Sequence, residues 1–407
     1  MTPFLKKLLG MNLGMLFLMY ALLIFGVFVM ESAARHLSVS PEVLRQYGDA
    51  GAYYAAMQKK WLVLGSVVYF AAALVDYRWI RWLGIPFYLV SLGLMVAAII
   101  KDDAVHRLDI GGLSFQPAQL GISSGIILVA WLVQDLPKLH PWLGAPLVRI
   151  GVIGVASAVP FLMVMKMGDM GSALVWIPVV AVALLMGGVP FRYLSFMGLV
   201  AAGVLPLLYF VVLPLVSERG PQRIETWLRM VNGQEVNLSD EGWAPHNISM
   251  AVGKAGWKGV GWMAGAEQNS VHAKGFIPND TAHNDYIFAV IGEEFGFRGS
   301  LLLLTVFALL LVCGLYVGFY SRDVSGRMLA CMVMALFFAH VFESIGMCVQ
   351  LMPITGIPLP LVSYSGTFMV ICMMLLGLVQ SVWIHRHIAP NPEKKVKKEV
   401  IPAFFAR

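Results

Sequence analysis

The chain has 407 residues, of which 59% are hydrophobic and 13% are charged, and its mean hydropathy is +0.76. A soluble domain has about 45–50% apolar and about 25% charged residues, so this composition excludes an ordinary soluble protein and places most of the chain in lipid. The net charge of +6 does not indicate nucleic-acid binding, because the basic cluster is a short run after the last apolar stretch, Lys394, Lys395, Lys397 and Lys398. We expect this run to lie on anionic lipid as part of a cytoplasmic tail.

The first apolar stretch, 11–30, is about 20 residues long, enough to cross a bilayer core as a helix of about 30 Å. It is too long for the core of a signal peptide and lacks a clear cleavage site, so we predict a first transmembrane helix. The cysteines lie inside apolar stretches, without the spacing of a disulfide framework or a zinc site. They are Cys313, Cys331, Cys348 and Cys372.

Apolar stretches separated by polar loops predict an all-α membrane protein with ten transmembrane helices, because a backbone in lipid must satisfy its own hydrogen bonds. The predicted spans are 11–30, 61–75, 83–100, 117–134, 150–166, 172–188, 193–214, 297–318, 328–349 and 367–384. With the N-terminus inside, every short inner loop is basic, which predicts that both termini are cytoplasmic. These loops hold Arg78, Arg81, Lys138, Arg149, Arg192, Arg322 and Arg327.

Two outer segments are then long, 31–60 and 215–296. The second, before the eighth span, is the stretch large enough to build a site outside the bilayer, and loops on a rigid scaffold often carry function. The chain shows no soluble domain and no strong internal repeat. We therefore predict one membrane domain over 1–407, with a basic tail over about 385–407.

The strongest motif is 276–299, where a polar loop enters an apolar helix. Asp285, at this boundary, is a candidate general base, because partial desolvation raises the pKa of a carboxyl towards the working pH. The alternative is that Asn284 or Asp285 only caps the helix, and spacing does not decide between the two interpretations. Glu293 and Glu294 belong either to the site or to the membrane interface.

Three further segments carry irregular or polar sequence beside predicted spans. Segment 351–366 holds prolines and glycines that forbid a continuous helix, so it either lines a cavity or forms a re-entrant turn that packs the bundle. Pro117 starts a predicted helix and places Gln119 within its first turn. Lys166 and Asp169 flank two short spans and either pair with each other or mark a polar cleft.

His340 and Glu343 lie within the ninth predicted span. A charge at the centre of a transmembrane helix costs about 2.5–3.5 kcal/mol on insertion scales, so we expect both side chains to face the interior of the bundle. The sequence contains no phosphate-binding loop, dinucleotide fingerprint or nucleophile elbow, which excludes the common nucleotide-dependent and serine-hydrolase sites.

Seven motifs, taken in chain order, carry a resemblance to a known family. They are Gln116-Pro117, Gly168-Asp169-Met170-Gly171, the segment from Gly187 to Leu194, Gln222-Arg223-Ile224, Gly259-Val260-Gly261-Trp262, the segment from Asp285 to Glu294, and the segment from Ile345 to Tyr364. With these motifs the chain resembles the SEDS family (shape, elongation, division and sporulation), and its RodA branch more than the division branch FtsW. The resemblance spans most of the chain and implies ten helices with a large outer loop before the eighth.

The resemblance implies a peptidoglycan glycosyltransferase that joins lipid II units outside the bacterial cytoplasmic membrane and releases undecaprenyl pyrophosphate. The family's essential aspartate falls on Asp285, which would take the proton from the acceptor 4-hydroxyl in an inverting transfer. Arg223, Lys254 and Lys166 are candidates for holding the diphosphate, and a divalent cation, Mg or Mn, is a candidate cofactor although the sequence shows no metal cage. The other candidate substrate contacts are His283, Glu293, Glu294, Asp169, Ser363 and Tyr364.

The resemblance also implies a partner. RodA-like proteins work with a class B penicillin-binding protein, a single-span transpeptidase, and this chain contains no transpeptidase domain. We therefore expect such a partner besides lipid II and the membrane. Two alternatives stay open: a lipid II flippase, which needs a continuous polar track through the bundle, and a non-catalytic scaffold for wall synthesis.

The chain departs from the family pattern at several places. The family's Gln-Pro-Ser-Glu-x-x-Lys has Ala118, Gln119 and Ile122 here, so its acid and its base are absent together and no unpaired charge remains. Its Pro-Asp-Leu-Gly begins with Gly168, and its Ser-Tyr-Gly-Gly carries Ser365. The usual His-Thr-Asp reads His283-Asn284-Asp285, which leaves the acid in place.

Overall fold

The computed structural model describes residues 3–79, 81–101, 108–110, 113–207, 219–238 and 240–386. Its helices are α1 (Pro3–Leu9), α2 (Leu13–Ala33), α3 (Pro41–Tyr47), α4 (Ala50–Leu74), α5 (Arg81–Lys101), α6 (Pro117–Leu139), α7 (Pro146–Lys166), α8 (Met170–Leu174), α9 (Trp176–Met186), α10 (Phe191–Leu207), α11 (Arg219–Val231), α12 (Trp243–Lys254), α13 (Asn279–Ala282), α14 (Ile287–Tyr320), α15 (Val324–Cys348) and α16 (Gly366–His385). Single 3₁₀ turns lie at Tyr77–Trp79, Pro141–Gly144 and Ala266–Gln268. The predicted all-α membrane fold is confirmed, with one small addition: β1 (Leu108–Ile110) pairs antiparallel with β2 (Leu113–Phe115).

Within the described residues, every predicted span falls on helical structure. Of the described helices, seven are long and apolar enough to cross a membrane: α2, α5, α6, α7, α14, α15 and α16. The remaining predicted spans correspond to α4, to the broken pair α8 and α9, and to α10. The end of the seventh span (208–214), the start of the large outer segment (215–218) and the basic tail from 387 onward lie outside the described residues. The total of ten spans and the orientation stay predictions.

Two helices begin earlier than predicted, and both changes matter for the site. The side chain of Asp49 accepts a hydrogen bond from the backbone N–H of Ala52 (2.7 Å), and this N-cap starts α4 well before position 61. The polar residues 58–60 are therefore helical. α14 starts at Ile287, directly after the turn that contains Asp285.

α15 forms the centre of the bundle. In its most apolar window 89% of the residues are buried, against 72% in α16 and 22% in α5, so α15 is enclosed by protein while α5 faces lipid. α6, α9, α14 and α16 pack around α15, and α4 runs along α16. Where α4 and α16 cross, a Cβ on Gly377 would lie 2.5 Å from the carbonyl oxygen of Tyr69, so this close approach requires glycine.

The candidate site residues lie on one face of the bundle, which we call the loop face. It contains the ends of α2, α5, α7 and α15 and the starts of α4, α6, α8, α14 and α16, together with the short helices α11, α12 and α13. The proline-rich segment (349–365), between α15 and α16, contains no helix and packs against the start of α14. The predicted irregular backbone at this place is confirmed.

Candidate active site

Asp285 lies in the turn before α14, and the proline-rich segment fixes the backbone of this turn. The backbone N–H of Tyr364 donates to the carbonyl oxygen of His283 (3.0 Å). The hydroxyl of Ser363 donates to the carbonyl oxygen of Asn284 (2.6 Å). Two segments that are far apart in sequence are thus joined at the two residues directly before the aspartate.

The carboxyl group of Asp285 is half-buried against the proline-rich segment. A Cβ on Gly356 would lie 3.4 Å from Oδ2 of Asp285, and the φ of this glycine is +75°. The N-cap position of α14 is Tyr286, which makes no side-chain cap hydrogen bond. The capping interpretation of Asp285 stays open beside that of a general base.

An aromatic cluster forms one wall beside the turn. The ring of Tyr54, from α4, lies 4.9 Å from the ring of His283 and 4.9 Å from that of Tyr364, and the last two rings are 5.6 Å apart. Burial lowers the pKa of His283 to about 4, so its imidazole is neutral near pH 7. Burial also raises the pKa of Tyr364 to about 12. These groups pack and orient the turn, and neither supplies a charge for a diphosphate.

Arg223 is the predicted cation that the fold brings to this turn. Its Nη1 donates to the carbonyl oxygen of Ile354 (3.4 Å), and its charge acts on the neighbouring Tyr286 hydroxyl. One turn further along α11, Nε1 of Trp227 donates to the carbonyl oxygen of Gln350 (2.9 Å). α11 therefore lies along the proline-rich segment with an exposed guanidinium beside the aspartate turn.

Glu293 and Glu294 contact the large loop itself. Glu293 accepts hydrogen bonds from the backbone N–H groups of Val271 and His272, the second at 3.1 Å. Glu294 accepts from the hydroxyl of Ser32 and from a backbone N–H of the large loop at 3.3 Å. Both side chains are buried. We call these contacts the glutamate clamp, because they fasten the loop and the end of α2 to the start of α14.

Lys166 and Lys254 occupy helix ends. Lys166 is the last residue of α7 and Lys254 the last residue of α12, and both side chains are exposed. Within the part of the chain that the structure describes, neither lysine makes a hydrogen bond or ion pair with the Asp285 turn. Their contact with a diphosphate stays a prediction.

Asp169 joins two of the polar motifs. Its Oδ1 accepts from the backbone N–H of Ser172 (2.9 Å) and caps α8, while its Oδ2 accepts from Nε2 of Gln116 (2.8 Å). The hydroxyl of Ser172 accepts from Nε2 of Gln119 (3.0 Å). A Cβ on the intervening Gly171 would lie 3.1 Å from Thr355, so this cluster packs directly beneath the proline-rich segment. The two sequence interpretations of Lys166 and Asp169, an ion pair or a polar cleft, stay predictions.

The described donor side chains bear on metal binding. Over the described ranges, no group of three or more His, Cys, Asp and Glu side chains could hold a metal ion. A resident divalent cation does not fit this donor set. Magnesium often binds through one or two carboxylates together with substrate phosphates, so an ion that enters with the substrate is a separate case.

Two contributors to the site were missed from the sequence, and both lie on α4. Gln58 is fully buried, and its Nε2 donates to the carbonyl oxygen of Ser363 (3.2 Å). Tyr54 supplies the aromatic wall described above. The sequence pattern that could have revealed Gln58 is its amide side chain directly before an apolar stretch. The predicted span begins only at 61, so it excludes this residue. With the helix extended back to Asp49, both residues fall on it.

The fold and the contacts define an integral membrane protein whose loop face carries one aspartate turn that is hydrogen-bonded to the proline-rich segment. The model of the FTSW_RODA_SPOVE family, described as cell cycle protein, matches residues 13–388. The chain belongs to this family.

Relatives with similar sequences span nearly the whole chain. Peptidoglycan glycosyltransferase MrdB of Escherichia coli K12 is 27% identical over 381 residues, covering 91% of this chain and 93% of the relative. Probable peptidoglycan glycosyltransferase FtsW of Geobacter metallireducens is 27% identical over 384 residues, covering 93% of this chain and 96% of the relative.

Solved structures share the fold. A chain from a study described as "Structural coordination of polymerization and crosslinking by a peptidoglycan synthase complex" superposes with a TM-score of 0.70 at 22% identity, covering 93% of this chain and 99% of that one. The rod shape determining protein RodA of Thermus thermophilus superposes with a TM-score of 0.61 at 22% identity, covering 93% and 98%. At this identity the likeness establishes the architecture alone.

Proposed function

We propose that this protein is a peptidoglycan glycosyltransferase. It joins lipid II disaccharide units outside the cytoplasmic membrane, releases undecaprenyl pyrophosphate, and serves cell elongation and shape maintenance. The observation that carries this proposal is the Asp285 turn: its half-buried carboxyl rests against Gly356, and the two preceding carbonyl oxygens accept hydrogen bonds from the hydroxyl of Ser363 and the backbone N–H of Tyr364. Family membership and the names of the relatives support the same activity.

The geometry fits an inverting transfer in which Asp285 is the general base. Asp285 takes the proton of the acceptor 4-hydroxyl while that oxygen attacks the anomeric carbon of the donor. The bond from this carbon to the diphosphate breaks, and the lipid diphosphate leaves with the bonding electrons. Arg223 is exposed beside the turn and stabilises the charge that develops on the leaving group. The apolar helices below accept the polyprenyl chains.

We propose that any divalent cation enters the site bound to the substrate. The described side chains do not form a metal cage. Mg or Mn bound to the diphosphate would neutralise part of its charge when the substrate is present. The protein residues do the remaining work of binding, orientation and proton transfer.

The proposed partner is a class B penicillin-binding protein. The resemblance implies a separate transpeptidase that cross-links the polymer. The solved neighbour described as part of a peptidoglycan synthase complex, with polymerization and crosslinking coordinated, supports this assignment. The proposed location is the bacterial cytoplasmic membrane, with both termini inside and the loop face outside.

Purified full-length protein with its partner and labelled lipid II tests the function. We expect glycan polymer on a gel, and none from protein inactivated by heat. Transport of labelled lipid II across a vesicle membrane without polymer would favour the flippase. Absence of both polymer and transport would favour the scaffold.

A further inference from the structure

Glu343 is a buried acid that the proposed mechanism does not use. It lies in α15, the most enclosed helix, and its side chain is 4% exposed. Its Oε2 has no hydrogen-bond partner among the described residues. A buried carboxyl oxygen without a partner is unfavourable, so such a group is retained where it performs a task.

A short series of neighbouring residues connects Glu343 to the aspartate turn. Met347 is four residues further along α15, so the two side chains lie on the same face, about 6 Å apart along the axis. The Sδ of Met347 accepts a hydrogen bond from the hydroxyl of Thr355 (3.9 Å). The next residue is Gly356, which rests against Asp285. Glu343 therefore lies one helical turn below the part of the proline-rich segment that supports the proposed base.

The carboxyl of Glu343 also lies within electrostatic range of Asp169. Gln119 enters the same cluster from α6 through Ser172. Position 119 is where the resembling family motif carries its acid and this chain does not. The cluster thus lacks the α6 carboxyl of that motif, and a carboxyl from α15 lies within electrostatic range of it.

We propose that Glu343 supplies from α15 the buried carboxyl that the motif would place at 119, and that it positions the floor of the site beneath Asp285. Its connection to the turn runs through Met347 and Thr355, so Glu343 is a positioning residue and does not touch the reacting atoms. This inference rests on the proposed function.

Exchanging the side chains of Glu343 and Gln119 tests the inference. Glu343→Gln keeps the size and removes the carboxyl, and we expect polymerisation of labelled lipid II by the full protein with its partner to fall at least about tenfold, mainly in kcat. Gln119→Glu alone adds an acid beside Asp169 and is also expected to lower the rate. The double variant restores the number of buried acids, and we expect most of the wild-type rate to return.

Ser344→Ala is the matched control, because Ser344 is the adjacent buried residue of α15 and its hydroxyl also lacks a partner in the described part of the chain. It should polymerise at the wild-type rate. A wild-type rate in Glu343→Gln, or a double variant no faster than Glu343→Gln, overturns the inference while wild-type polymerisation upholds the function. An inactive wild type contradicts the proposed function itself.

Discussion

Asp280 and Asp285 are two carboxylates of one loop, and their surroundings differ. Asp280 is exposed in the short helix α13. Asp285 is half-buried, is followed by the buried Tyr286, and rests against Gly356. A general base needs both access to its proton and partial removal from water, and of these two acids only Asp285 has both.

Replacement of Asp285 by Asn keeps the size and removes the base. Loss of a general base typically lowers a rate by about 10²–10⁴. We expect Asp285→Asn to express and to bind its partner as the wild type does, but to lose polymerisation by that factor on labelled lipid II. Asp280→Asn is the control and should cost less than about threefold, because a solvated loop acid contributes little. Full activity in Asp285→Asn would remove this residue from the mechanism.

Arg223 and Arg229 provide a second matched pair on α11. Arg223 donates to the proline-rich segment, whereas Arg229 forms an exposed ion pair with Glu225 (2.5 Å). We expect Arg223→Ala to lower kcat/KM for lipid II by about tenfold or more, since a charge-assisted contact to a diphosphate is lost. Arg229→Ala should stay near the wild-type value, because exposed pairs contribute little. Equal effects of both changes would argue against a role of Arg223 at the diphosphate.

The sequence predicted the site residues that lie at boundaries between loops and helices. It did not predict the contacts between residues that are far apart in the chain. Asp285 and Asp169 lie where polar loops meet apolar helices, and this pattern is local. The contact of Gln58 with Ser363 joins positions 305 residues apart. The clamp formed by Glu294 and Ser32 spans 262 residues. Such pairings depend on tertiary packing, which the periodicity of a single segment does not encode.

At the scale of elements, the backbone conformation of the proline-rich segment requires glycine at position 356. Gly356 has φ +75° and faces the carboxylate of Asp285. Gly356→Ala should lower the free energy of unfolding by about 1–2 kcal/mol, because L-residues disfavour this region. It should also lower polymerisation by displacing the aspartate turn. The measurements are a thermal unfolding curve and the lipid II assay.

Gly253→Ala is the control for this change. Gly253 lies in α12, where an added Cβ meets nothing within 4 Å. Alanine stabilises a helix over glycine by about 0.5–1 kcal/mol, so this variant should be at least as stable as the wild type. Equal stability and activity in both variants would show that the conformation of Gly356 is not required.

The large loop carries a pH dependence set by two buried histidines. Burial lowers the pKa of His272 and of His283 from 6.5 to about 4 each. Between these values the two histidines bind more protons in the unfolded loop than in the folded loop, so their contribution to folding of the loop is present above about pH 6.5 and is lost as the pH falls towards 4. Amide exchange over 270–286, corrected for its intrinsic rate, should show falling protection. Constant protection from pH 7 to 4.5, with α15 as the internal reference, would contradict this.

At the scale of the whole molecule, the candidate site residues all lie on one face of the helical bundle. The aspartate turn, the Asp169 cluster, the glutamate clamp and α11 all lie on the loop face. The short basic loops, including Arg78 and Arg192, lie at the other ends of the helices. Lysine and arginine favour the cytoplasmic side, so this separation predicts that the candidate site is outside.

Cysteine labelling tests the orientation directly. Glu235 is exposed on the loop face, and His140 is exposed at the opposite ends of the helices. In intact cells, Glu235→Cys should react with a membrane-impermeant maleimide, and His140→Cys should react only after the membrane is made permeable. The wild type is the control, since Cys331, Cys348 and Cys372 are buried and Cys313 is half-buried within α14. The reverse labelling would place the Asp285 turn in the cytoplasm, where it could not extend a wall polymer outside the membrane.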